Sequence, residues 1–155
     1  MTIFSRLLHI VLHLGHWILH RATLTAAVVV LDDDRVLLVR SRYRRGWHLP
    51  GGFLDPPETF EAGARREALE ELGYELLEMK LVDIPVSRTG LICNNYCGVY
   101  VCSDFRKAHE RAPNWEIQEA RWFDVSALPD TTDAFGRSCV DQAYVFSKGG
   151  SGVER

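Results

Sequence analysis

Apolar positions recur along the chain with two periods, about 3.6 residues for helices and about 2 for strands, and the switches between them mark its elements. In MTIFSRLLHIVLHLGHWILH, residues 3–20 predict a helix. Thr2, Ser5, Arg6, His9, His13, His16 and His20 fall within about 100° of a helical wheel, and the remaining arc, Trp17 included, is apolar. TLTAAVVVL (23–31) is a continuous apolar strand, Asp32-Asp33-Asp34 a turn, and RVLLVR (35–40) a second strand, together a hairpin. SRYRRGWHLPGG (41–52) reads as a loop closed by the breakers Pro50, Gly51 and Gly52. A helix is expected to start at DPPE (55–58), where proline suits a first turn, and to run to about Leu72 before Gly73 stops it. ELLEMKLVDIPVS (75–87), NYCGVYVCSDF (95–105) and EIQEARWFDV (116–125) read as strands. TTDAFGRSCVDQAYVF (131–146) closes as a helix capped by Thr132 or Asp133. Strands interspersed with helices predict an α/β sandwich with a mixed sheet. The division expected is an amphipathic helix over 1–21, one domain over 22–146 and a flexible tail over 147–155.

A length of 155 residues suits one domain with a proper core. The net charge of −3 argues against a general nucleic-acid binder, which would carry a basic excess. Cys93, Cys97, Cys102 and Cys139 form no Cys-x-x-Cys pair or zinc spacing, and three of them sit in or beside an apolar run. Buried free thiols, and with them a reducing, cytoplasmic compartment, are expected. Charge is unevenly spread. Arg35 to His48 holds five arginines and no acid, whereas Gly51 to Glu75 holds seven acids against Arg65 and Arg66. Either two solvated faces attract each other, or one site needs cations for an anionic ligand and carboxylates for a metal.

REALEELGY (66–74) sharpens that choice. On a helix it sets Glu67, Glu70 and Glu71 at i, i+3 and i+4 with no lysine in the stretch, and like charges at that spacing cost roughly 0.2–0.5 kcal/mol per pair. The wider span, GGFLDPPETFEAGARREALEELGY, places Gly52, then five residues, Glu58, then seven residues, and then Arg66-Glu67-Ala68-Leu69-Glu70-Glu71-Leu72-Gly73-Tyr74. This closely resembles the Nudix box, the loop–helix–loop signature of the Nudix hydrolases. Every charged and glycine position matches. Only Ala68 and Tyr74 depart, where Ile, Leu or Val is usual, and Pro57 stands where relatives often carry glycine, so that the approach to Glu58 is expected to differ. The resemblance extends over roughly 22–146 through WHLPGG and EIQEARWF and leaves out the N-terminal helix.

The resemblance implies a Nudix-like α/β/α sandwich with a mixed β-sheet, and cleavage of a diphosphate linkage in a nucleoside diphosphate joined to another moiety. It implies Mg²⁺, with Mn²⁺ as an alternative, since a hard cation held by carboxylates and phosphate oxygens resolves the repulsion between substrate and glutamates. Glu67 and Glu71 are the first-choice ligands, Glu70 lies beside them, and the Gly51 carbonyl is a further oxygen. The cation acidifies a water whose proton a carboxylate, Glu70 or Glu71, accepts for in-line attack on phosphorus. Arg66 orients the glutamates, while Gly52 and Glu58 brace the loop. Without the glycines and Arg66, a solvated acidic helix face would be the better reading.

Two further sites are weaker. Glu116 matches a late-strand glutamate that serves some relatives as an extra metal ligand or base, and Glu119, three residues on, is expected to face the other way in an extended strand. Arg42, Arg44 and Arg45 could grip phosphates and Tyr43 could stack on a base; a solvated loop is an equal alternative. The markers of known family branches are missing, with Gly90, Leu91 and Ile92 where prolines or tyrosines would fall, so the substrate stays unspecified. The histidine stripe is either a transition-metal site or a narrow polar strip. It argues against a signal peptide and against a membrane span. The broad apolar arc needs cover, on its own domain, in a homodimer, or at a membrane surface. Beside the hydrolase stands an alternative from another class, a Nudix-fold nucleotide-binding or regulatory module without turnover.

Overall fold

The computed structural model describes residues 22–89, 93–109 and 116–149; the predicted N-terminal helix lies outside the described residues. In chain order the elements are β1 (Ala22–Asp32), β2 (Arg35–Ser41), β3 (Gly51–Phe53), α1 (Phe60–Leu72), β4 (Tyr74–Asp83), β5 (Val86–Thr89), β6 (Cys93–Lys107), β7 (Ile117–Asp124), a short 3₁₀ turn (Val125–Ala127) and α2 (Ala134–Ser147). One seven-stranded sheet runs β4-β6-β1-β2-β7, with β3 paired to β1 and β5 to β6. It is mixed, because β1 and β6 run parallel while the other pairs are antiparallel.

The continuous valines of β1 are explained by cover on both faces. Ala27, Val29 and Leu31 pack with Val99, Val101 and the α2 residues Cys139, Val140 and Ala143. Ala26, Val28 and Val30 pack on the other face with the α1 residues Ala64, Ala68 and Leu72. The result is the expected α/β/α sandwich. Phe60 lies over Gly98, where an added Cβ would come within 2.8 Å of the ring. Cys97, Cys102 and Cys139 are buried free thiols, as their apolar settings predicted. No described helix is long and apolar enough to cross a membrane.

Several boundaries differ from the sequence reading. Helix α1 begins at Phe60 instead of within DPPE, because Thr59 keeps an extended backbone (φ −83°, ψ 161°) and its hydroxyl accepts the Ala62 N–H. ELLEMKLVDIPVS is two strands, since β4 ends at Asp83 and Ile84-Pro85 separates it from β5; proline has no N–H to continue a ladder. Gly51 and Gly52, expected to close a loop, join Phe53 in the short strand β3. Gly73 ends α1 in the left-handed region (φ 74°), with its N–H on the carbonyls of Ala68 and Leu69. Asp133 caps α2, and Ser147, expected in the tail, is that helix's last residue.

Candidate active site

Helix α1 and strand β3 meet over the carboxylate cluster, and two glycines let them approach. Gly51 has φ +148°, and a Cβ there would lie 2.2 Å from the Ala26 carbonyl oxygen. A Cβ on Gly52 would lie 2.3 Å from Glu67 Oε1. With no side chains in the way, Glu71 tucks against β3, only 4% exposed, and its Oε2 accepts the Gly51 N–H at 3.0 Å. Burial, together with the charges of Glu67, Glu116 and Glu70, pushes the Glu71 carboxyl up to about 8. Burial also raises Glu67, against the pull of Arg66.

Arg66 is the hub of the cluster. Its Nε and Nη2 donate to the two Glu58 oxygens, each at 3.0 Å, a paired arrangement suited to guanidinium. Its Nη1 donates to Glu67 Oε1 at 2.9 Å and to Glu70 Oε2 at 3.3 Å, and Nη2 reaches the Phe53 carbonyl at 2.8 Å. Glu58 also accepts the Asp55 N–H at 3.0 Å, and the Arg66 hydrogen bonds hold its carboxyl below the ordinary value. Glu58 therefore takes up its partners despite Pro57 before it. The contact between Gly51 and the cluster runs through its amide N–H to Glu71.

A cleft of about 820 Å³ opens over this cluster. Glu67, Glu70, Glu71, Arg66 and Glu116 line it together with Gly51 and Gly52. From the 41–48 loop, Tyr43 and Arg44 reach the cleft, whereas Arg42 and Arg45 do not line it. Arg44 is engaged by Asp133 at 2.8 Å. Tyr43 donates from Oη to Glu116 Oε1 at 2.6 Å, and burial together with that bond raises the phenol to about 12.

Alternation, the ground for expecting Glu116 and Glu119 on opposite faces, does not hold at the start of β7. Pairing passes from Arg40↔Glu119 to Ser41↔Ile117, so β7 carries one extra residue at Gln118 and strict alternation breaks. Contacts separate the two glutamates instead. Glu119 accepts from Arg40 at 2.7 Å and from Arg121, while Glu116 lines the cleft.

Sequence reasoning missed several cleft residues. His48 is buried, with Nδ1 at 3.1 Å from the Leu49 carbonyl and Nε2 at 3.2 Å from Ser41 Oγ, and burial lowers its pKa. Thr25 and Asn95 exchange hydrogen bonds at 3.2 and 3.1 Å on the cleft wall. Their meeting depends on the parallel β1–β6 register across 70 residues, which no local pattern announces.

The donor set has the chemistry of a hard-cation site, all oxygen and mutually repelling. Among the described residues, no group of three or more His, Cys, Asp or Glu side chains is already arranged to hold a metal ion. Like charges separate unless something between them is positive, and Arg66 takes that place for Glu67 and Glu70.

Sheet, helix α1 and this cluster together define a Nudix-type domain. The chain belongs to that family: residues 21–143 match the NUDIX domain. It is similar to the NAD-capped RNA hydrolase NudC of Vibrio atlanticus (strain LGP32), 29% identical over 110 residues, covering 66% of this chain and 38% of that one. It spans between 22% and 51% of the length of the curated relatives it matches. The fold is shared with a MutT NUDIX hydrolase from Burkholderia pseudomallei (TM-score 0.70, 24% identity, 79% of this chain and 98% of that one). It is also shared with an ADP compounds hydrolase (TM-score 0.69, 18% identity, 84% and 76%).

Proposed function

We propose that the protein is a divalent-cation-dependent Nudix hydrolase that cleaves a diphosphate linkage in a nucleoside diphosphate joined to another moiety, with water attacking phosphorus. The observation that carries this reading is Glu71, nearly buried among like charges at the base of an open cleft. Ionising a buried carboxylate among like charges costs stability, and a cation entering the cleft would offset that cost. Glu67, Glu70 and Glu71 would hold Mg²⁺ or Mn²⁺, with Glu116 and the Gly51 carbonyl as further oxygens. When bound, the cation supplies charge neutralisation for the diphosphate and acidifies a water.

The remaining roles fall to the chain's own side chains. Arg66, anchored by Glu58, keeps Glu67 and Glu70 turned toward the cleft. Glu70 or Glu71, in its ionised form, accepts the proton of the attacking water; the cation's charge beside Glu71 would offset the burial that raises its carboxyl. Arg44 is the loop arginine that would meet a phosphate with the donors its ion pair to Asp133 leaves over, and its position on the cleft lining supports this. The similarity to proteins named for NAD-capped RNA and ADP compounds supports a substrate built on a nucleoside diphosphate. The buried thiols fit a cytoplasmic setting.

The test is a panel of NAD, ADP compounds, UDP-sugars and CMP conjugates, assayed for release of nucleoside monophosphate with Mg²⁺ and with excess chelator. Release that requires the cation is expected for at least one compound. Binding of panel compounds with no release from any of them would favour the non-catalytic module.

A further inference from the structure

Tyr43 lines the cleft and as a whole residue is 66% exposed. Its hydroxyl has a definite occupation, the 2.6 Å hydrogen bond to Glu116 Oε1. The residue before it completes the grip: the Arg42 N–H donates to the Glu116 main-chain carbonyl at 2.9 Å. Two consecutive loop residues therefore hold the two ends of one glutamate. The main-chain bond fixes its Cα, and the phenol fixes its carboxylate, so the three side-chain torsions between them are no longer free. A long acidic side chain otherwise surrenders that freedom only when its ligand arrives.

The loop is itself fastened at its far end. Trp47 donates its N–H to the Thr131 carbonyl at 3.2 Å, the Asp133 N–H returns to the Trp47 carbonyl at 3.0 Å, and Arg44 pairs with Asp133. Gly46 permits this closeness, since a Cβ there would lie 2.0 Å from the Thr131 oxygen. The extra residue at Gln118 brings Glu116 level with Arg42 instead of one place further along the loop.

From this we infer that Tyr43 is a positioning residue, whose hydroxyl holds the Glu116 carboxylate on the cleft side of β7 ready for the cation. The inference rests on the hydrolase reading for Glu116's task, and it replaces base stacking as the main duty of Tyr43. Retaining the ring and deleting only the hydroxyl isolates the effect.

Four proteins decide it: wild type, Tyr43→Phe, Glu116→Ala and the double variant. Mn²⁺ affinity is read by electron paramagnetic resonance, and kcat and KM are read on a panel compound that wild type cleaves. A hydrogen bond to a charged acceptor predicts a loss of about tenfold in kcat and of several-fold in Mn²⁺ affinity for Tyr43→Phe. KM should stay within about twofold, and the same change in the Glu116→Ala background, which has no acceptor left for the hydroxyl, should cost nothing further. Unchanged Mn²⁺ affinity and kcat in Tyr43→Phe would overturn the inference, as would a rise in KM alone or losses that add fully in the double variant. If no panel compound is cleaved while the Mn²⁺ pattern appears, the positioning role stands and the hydrolase reading fails by itself.

Discussion

Three neighbouring glutamates of α1 are housed very differently. The Glu70 side chain is 57% exposed and the Glu67 side chain 14%, whereas Glu71 as a whole is 4% exposed. That difference has a consequence in pH. The Glu71 carboxyl sits at about 8 in the folded protein against an ordinary 4.5, so between those values the native state keeps a proton that the unfolded chain has lost. Its contribution is present in full below pH 4.5 and is lost as pH rises toward about 8. Metal-free wild type should therefore lose up to about 1.4 kcal/mol per pH unit from this group relative to Glu71→Gln. Urea unfolding of both proteins across that interval checks it, and parallel stability profiles would contradict it. His48, which burial drives the opposite way, cancels in the comparison. The crowding of charge was plain in REALEELGY, but the burial was not. It depends on a contact with Gly51, 20 residues upstream, and spacing along a helix carries no information about what packs against it.

At the scale of elements, the order of strands and helices was legible because the periods change so clearly, from the valines of β1 to the mixed face of α1. What the pattern misplaced were boundaries set by single side chains. DPPE has the composition of a helix start, yet the Thr59 hydroxyl on the Ala62 N–H moves the start to Phe60. Thr59→Ala should cost about 1 kcal/mol of stability. Denaturant midpoints should record it, with metal-dependent turnover retained at low temperature; an unchanged midpoint would mean that the cap contributes nothing. The extra residue at Gln118 was invisible for a related reason. A bulge is a relation between two strands, and the alternation rule applied to EIQEARWF alone assumes that none exists.

For the whole molecule, the family domain over residues 21–143 carries both the sandwich core and the carboxylate cleft. The apolar arc of residues 1–20, which lie outside the described residues, calls for cover and supplies no carboxylate. Deleting residues 1–20 should lower solubility or dissociate a dimer while leaving cation-dependent hydrolysis measurable. A soluble, folded truncation without turnover would show that the segment serves the chemistry.

The central claim, that the cluster exists for a catalytic cation, is tested most directly by Glu71→Gln. Without Mg²⁺ the variant should be at least as stable as wild type, because like-charge repulsion and the burial of a carboxylate are both relieved. With Mg²⁺ at about a hundredfold excess over Kd, wild type should gain roughly 2.7 kcal/mol. The variant should lose most of that gain and nearly all turnover. Melting curves with and without Mg²⁺, beside monophosphate release from the same samples, give both halves. An active Glu71→Gln protein with the wild-type Mg²⁺ shift would show that these carboxylates do not hold the catalytic metal.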